Sequence, residues 1–346
     1  MIPRTVPPCQ SDDTPLAQTG CPSSHWQTAL ADAIRQPAEL LEYLNLPQSL
    51  LSGAIAASES FTLRVPRGYC QRIEKGNPDD PLLRQVLPLD AELIHDQQFM
   101  HDPVGDLAAM EAPSLLHKYQ GRVLIITTPV CAVHCRYCFR RHFPYQENRA
   151  EQNWNKTVDY IRNHSDIHEV ILSGGDPLSL TESRLKNLTD KLINIPHIKT
   201  LRLHTRQPIV LPERVNNELL SWIDSLPWKI VVVLHCNHAN EIAPPVAFAL
   251  KQLQQHQVTL LNQSVLLAGV NDDTEVLVNL SQKLFEHHVL PYYLHRLDKV
   301  QGAKHFYVEN DKASQLINKV RQRLPGYLVP KLVEERAGEK SKTAII

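Results

Sequence analysis

Residues Arg122–Pro144 read RVLIITTPVCAVHCRYCFRRHFP, an apolar β-type run followed at once by three cysteines, Cys131, Cys135 and Cys138, spaced C-x3-C-x2-C. Thiolates are soft ligands suited to iron–sulfur clusters, zinc or copper(I), and three so close in sequence can converge on one metal centre. A four-iron cube takes four ligands, so three thiolates leave one iron open to a small chelating molecule. The alternative is a zinc knuckle completed by His134 or His142. Zinc modules usually stand among further ligand pairs, and the chain has no second C-x2-C.

Outward from this stretch, the 346 residues are 42% apolar and 21% charged, with a net charge of -1. That length and balance fit one large α/β unit with an extension, or two units, and show no basic excess to recommend nucleic acid. The 17 histidines are scattered. Seven cysteines, an odd number with three clustered, favour a reducing compartment and a metal site over a disulfide framework; Cys9, Cys21, Cys70 and Cys236 read as ordinary thiols. The opening residues hold no signal-type apolar segment, and no run reaches the roughly 20 residues of a membrane helix. The expected location is the cytoplasm, with no membrane partner.

Residues 1–24 read as a tail. Residues 26–57 carry helix-period apolar positions (Leu30, Ile34, Leu40, Leu41, Leu44), with Pro37 and Pro47 as helix-start signals. From Val123 onward, β-rich runs begin near Val123, Val170, Thr200, Ile230, Thr259 and Pro291. Helix-like stretches lie between them, among them residues 181–194, 213–224 and 272–286. Strands alternating with helices predict βα units on a parallel sheet, and six units are too few for an eight-stranded barrel. The expected fold is α/β, a partial (β/α)6 barrel over residues 107–300. It is preceded by a tail and helical extension (1–106) and followed by a C-terminal helix and segment (301–346). Each strand ends in polar residues: Ser173-Gly174-Gly175-Asp176, His204-Thr205-Arg206, the run Leu234–Glu241 and Asn262-Gln263-Ser264. Reactive groups of such barrels gather at those strand ends.

The cysteine motif, with the aromatic Tyr137 before its third cysteine, resembles that of the radical S-adenosylmethionine (SAM) superfamily. There the open iron of a [4Fe-4S] cluster holds SAM, whose reductive cleavage gives a 5'-deoxyadenosyl radical. This likeness makes Ser173, Gly174, Gly175 and Asp176 the segment that meets the SAM amino group, with His204 and His235 as further SAM contacts. The motifs DPLLRQVLP, HKYQGRVLIITTPVCAVHCRYCFRRHF, ILSGGDPL, NQSVLLAGVND, PYYLHRLDKVQGAKHF and GYLVPKLVEERAGEKSKTAII extend the resemblance to the lysine 2,3-aminomutases, over about residues 80–346. The nearest kind is the shorter bacterial form that supplies β-lysine for modification of elongation factor P.

The resemblance implies an isomerase with pyridoxal 5'-phosphate (PLP) as a second cofactor. Lys342 is the lysine that takes PLP, with Lys340 as a rival because the family's glycine run is here Gly338-Glu339-Lys340-Ser341. Lys118, Arg122 and Gln263 become PLP contacts. Arg140, or its neighbour Arg141, becomes the clamp for the substrate carboxylate, a role that suits a guanidinium fork. Asp298 and Glu335 become the anions for the ε-ammonium of L-lysine, Glu335 standing where the family has aspartate. Asp298 could otherwise pair with Arg296 or Lys299. The implied partners are an electron donor such as flavodoxin or ferredoxin and a lysyl-ligase acting on elongation factor P. An aminomutase for another amino acid, and a radical SAM enzyme without PLP, are the competing expectations.

Overall fold

The computed structural model describes residues 26–146 and 150–345; the tail expected over residues 1–24 lies outside them. Ten strands form one sheet in chain order: β1 (Met110–Ala112), β2 (Leu115–Tyr119), β3 (Arg122–Thr128), β4 (Glu169–Gly174), β5 (Thr200–Thr205), β6 (Lys229–His235), β7 (Thr259–Leu266), β8 (Leu290–Arg296), β9 (Lys331–Glu334) and β10 (Thr343–Ala344). From β3 to β9 every neighbouring pair is parallel; β1 and β2 at one edge and β10 at the other run antiparallel to their neighbours. The six β-rich runs of the sequence become β3 to β8, and a helix follows each of them. This is the partial (β/α)6 barrel that the alternation predicts.

Strand residues alternate between two faces. In β5, Leu201 and Leu203 enter the apolar core beneath the helices, whereas Arg202 and His204 lie on the opposite, inner face. The same alternation places Arg122 in β3, Ser173 in β4, His235 in β6, Gln263 in β7, and Tyr293 and His295 in β8 on the inner face. Local chemistry sets where helices begin. The helix expected from residue 213 starts at Asn217, because Pro212 opens a separate 3-10 turn and the Asn216 side chain accepts from Leu219 N as the cap. Asp273 likewise caps Thr274–Glu286.

The N-terminal extension shares the barrel's core: Leu40, Leu41, Leu82 and Leu83 join one apolar cluster with Val123, Leu201 and Val232. The sheet's ends are not hydrogen-bonded to each other among the described residues. Yet Lys118 of β2 donates to Glu335, just after β9, at 2.8 Å. The sheet therefore curls until its two ends lie within side-chain reach. No helix among the described residues is long and apolar enough to cross a membrane.

Candidate active site

The cysteine loop leaves the top of β3 and is clamped from both sides. On one side the N-terminal extension holds it: Arg136, fully buried, forks onto Glu92 at 2.8 and 2.6 Å, and Arg141 reaches the same carboxylate at 2.8 Å. Arg136 N also donates to Gln85 O, and His134 N to Arg64 O. On the other side the end of β4 lies directly against it, with Gly175 N donating to Thr128 O at 2.6 Å and Asp176 N to Val130 O at 2.8 Å. A Cβ on Gly175 would stand 2.6 Å from Val130 O, and Gly174 has φ +122. The paired glycines thus let β4 meet the backbone of the cysteine loop.

The three thiols are half-buried and feel one another electrostatically. Burial, then Asp176, Cys138 and Cys135, push the Cys131 thiol well up, and burial followed by Cys135 pushes Cys138 to about 11. Cys131 and Cys138 are thus costly to ionise unless a cation takes them, and three thiolates suit a polynuclear iron centre. A single-ion zinc site fits less well. His134 is engaged with Thr62 O at 2.8 Å and His142 with Gln301 O at 3.2 Å, and among the described residues no three His, Cys, Asp or Glu side chains group closely enough for one metal ion. Arg206, at the end of β5, donates to Cys135 Sγ at 2.7 Å.

Inside the barrel, charges alternate in a row. Arg140 Nε donates to Asp106 Oδ2 and Lys118 Nζ to Asp106 Oδ1, both at 2.6 Å. Lys118 Nζ also donates to Glu335 Oε1 at 2.8 Å, and Lys342 Nζ to Glu335 Oε2 at 2.6 Å. Burial opposes ionisation of Glu335, but Lys342 and Lys118 hold its carboxyl down to about 2. Lys342 is placed by the last hairpin: β10 pairs with β9, Thr343 opposite Glu334, after a turn in which Gly338 has φ +82. Lys340, two residues earlier, is exposed.

Beside this row several polar groups lack partners among the described residues. Asp298 receives no hydrogen bond on its carboxylate, and burial followed by Glu335 pushes its pKa up to about 7. Arg296 and Lys299, the alternative partners for Asp298, are taken by Glu334 and Tyr307 and by Gln98. His204 Nε2 and His295 Nε2 are buried without hydrogen bonds. Burial, then neighbouring cations including Lys342, keep both imidazoles well below their usual range. Arg122 lies over the Tyr119 ring at 4.7 Å and has no anionic partner. A free guanidinium, the orphaned imidazole nitrogen of His295 and a lysine above the Tyr293 ring at 6.0 Å suit an anionic aromatic cofactor.

Residues 125–217, from β3 into the helix after β5, match the radical SAM superfamily. The chain is 48% identical over 320 residues to the L-lysine 2,3-aminomutase of Haemophilus influenzae, covering 92% of this chain and 95% of that one. This chain belongs to the L-lysine 2,3-aminomutase family. The family's Escherichia coli (strain K12) protein is also 48% identical, over 92% of this chain and 94% of its own. That of Clostridium subterminale is 33% identical over 93% of this chain and 77% of its own length. Membership makes the protein a radical SAM isomerase, with a [4Fe-4S] cluster and SAM as its cofactors.

Set against the aminomutase pattern, Arg140, Lys118, Glu335 and Lys342 form one connected group, and Asp298 lies in its field. Arg141 faces away, onto Glu92 and the carbonyls of Arg136 and Gly302. Gln263 and His235, read as PLP and SAM contacts, touch each other at 2.6 Å. The Asp176 carboxylate is committed elsewhere: it accepts from Leu178 N, Thr205 Oγ1, Arg206 N and Gln207 N. In the same segment Ser173 Oγ accepts from Arg140 Nη1 at 3.2 Å, Ser173 O from Thr127 Oγ1 at 2.9 Å and Gly174 O from Tyr145 OH at 3.1 Å. Arg122 sits at the opposite end of β3 from the cysteines and is not bonded to the Lys118 group. Sequence reasoning missed Asp106, His295 and Glu92. An acid in an irregular, proline-rich stretch carries no periodic signal, although the position of His295 on the inner face of β8 follows from strand alternation.

Proposed function

We propose that the protein converts L-lysine to β-lysine by moving the amino group from C2 to C3, with PLP bound beside SAM. The observation that carries this reading is the charge order of the barrel's inner face. Arg140 is the cation for the α-carboxylate; Asp298, half-buried and without a hydrogen-bond donor on its carboxylate, is the anion for the ε-ammonium, since an ammonium in a dry pocket needs a counter-charge. When bound, the reduced cluster with SAM supplies radical hydrogen abstraction, and PLP supplies a conjugated ring that stabilises an unpaired electron during the nitrogen shift.

The chain's own side chains then have defined tasks. Cys131, Cys135 and Cys138 hold the cluster. The carbonyls of the Ser173–Gly175 segment, with His204 and His235, line the SAM side. Lys342 would hold PLP as an imine, the carbonyl oxygen leaving as water, and Arg122, Lys118 and Gln263 would face its polar groups. Arg140 exchanges its bond to Asp106 for a fork onto the substrate carboxylate. Glu335 Oε2 is held by Lys342 and Oε1 by Lys118, so a substrate ammonium would share this carboxylate with the two lysines, with Asp298 as its unshared anion. A glutamate substrate would set a second carboxylate against Asp298 and Glu335, a like-charge contact. The electron comes from a small donor such as flavodoxin or ferredoxin, and the product passes to a lysyl-ligase for elongation factor P. Both partners rest on likeness to the short bacterial proteins.

The test is anaerobic reconstitution with iron, sulfide, PLP and SAM, followed by product analysis with lysine, arginine and glutamate. β-Lysine formed faster than any other β-amino acid is the expected result; faster turnover of glutamate overturns the reading.

A further inference from the structure

Arg206 occupies an unusual place for a buried cation. It is 5% exposed, its Nη1 donates to Cys135 Sγ at 2.7 Å, and its Nη2 donates to Gln85 Oε1 at 2.6 Å and Glu241 Oε2 at 2.9 Å. Those acceptors are themselves fixed. Glu241, fully buried, accepts from Asn237 N at 2.8 Å and His238 N at 3.1 Å, and Asn237 Nδ2 donates to Gln85 Oε1 at 3.0 Å and Tyr137 OH at 2.7 Å. Arg206 N is bound to Asp176 Oδ2 at 2.7 Å, which sets the root of the side chain. One strand end, the loop after β6 and the N-terminal extension thus converge to hold one guanidinium against one of the three cysteine sulfurs.

We propose that Arg206 is a positioning residue that sets the reduction potential of the iron–sulfur cluster, with Glu241 as its counterweight. Reduction adds one negative charge to the cluster and its thiolates. A fixed cation donating to a ligand sulfur stabilises that reduced form and raises the potential, in the way hydrogen bonds to cluster sulfurs do generally. The carboxylate of Glu241, on the far side of the guanidinium, partly cancels this field. Since the interior screens charges weakly, both effects reach the sulfur. The pair then tunes how readily an external donor can load the electron that SAM cleavage consumes.

This inference rests on the cysteine assignment above, and iron content separates the two. The experiment is an EPR-monitored potentiometric titration of the anaerobically reconstituted full-length protein in the absence of SAM. Arg206→Met is expected to shift the cluster midpoint to more negative potential, Arg206→Lys to shift it less, and Glu241→Gln, which keeps the backbone acceptor, to shift it positive. A residue that only braces the loop would change cluster occupancy without moving the midpoint in opposite directions. Variants that load iron and sulfide as the wild type does but keep its midpoint overturn the inference. If Arg206→Met fails to load a cluster, Glu241→Gln decides: a midpoint at or below that of the wild type overturns it. Protein that binds no iron with Cys131, Cys135 and Cys138 intact overturns the cysteine reading instead.

Discussion

At Asp298, burial and the neighbouring Glu335 raise the carboxyl to about 7 while Lys342 pulls it down. A substrate ammonium pairs only with the ionised carboxylate, so binding below that pH must first displace a proton. The KM for lysine is therefore expected to fall about tenfold per pH unit as pH rises towards 7 and to level off above it. Asp298→Asn should raise KM and flatten the profile; a profile with the same slope in that variant would assign the titration to another group. The sign for folding runs the other way. The folded pKa lies above the unfolded value of about 4, so the ligand-free protein loses stability from this group as pH rises between the two. Lys342 offers a second residue-scale check. Borohydride reduction of PLP-loaded protein and peptide mapping should place the pyridoxyl label on Lys342, which reaches Glu335, and none on the exposed Lys340.

Elements were the most legible scale. Strands and helices declare themselves through periods of two and 3.6, and the six expected runs became β3 to β8 with starts shifted by no more than one residue. What periodicity does not reveal is why the end of β4 needs two glycines. The reason is backbone packing: a Cβ on Gly175 would meet Val130 O at 2.6 Å and the Pro129 carbonyl carbon at 2.7 Å, and backbone cannot swing aside as a side chain does. Gly175→Ala should therefore displace the start of the cysteine loop. Iron and sulfide per chain after reconstitution are expected to fall several-fold while the far-ultraviolet circular dichroism stays that of the wild type. Full cluster loading would show that the loop relaxes at little cost.

For the whole molecule the open seam of the barrel is the exposed question, because no backbone pairing joins β2 to β9 among the described residues. Lys118 spans it, held between Asp106 and Glu335 with 16% of its side chain exposed. Lys118→Met removes one of the two cations on each carboxylate, leaving Asp106 to Arg140 and Glu335 to Lys342, a change expected to cost about 1–3 kcal/mol. Denaturant unfolding measured without cofactors should show the loss; an unchanged midpoint would mean that apolar packing alone closes the curl. Curvature of this kind was not readable from the strands individually. Their number said only that six units could not make a closed eight-stranded barrel.

By itself the sequence determined the partial barrel, the three-cysteine loop at the top of its first parallel strand and the membership of the family, because each is written in residues close together along the chain. Only the tertiary structure decided which cation meets which anion. Lys118 and Glu335 are 217 positions apart, Arg206 and Cys135 71, Arg136 and Glu92 44. Such pairs depend on strand register, on the curl of the sheet and on how the extension packs beneath the loop. No local pattern encodes those, so Asp106, Glu92 and the guanidinium at Cys135 became visible as parts of the site only once the chain was folded.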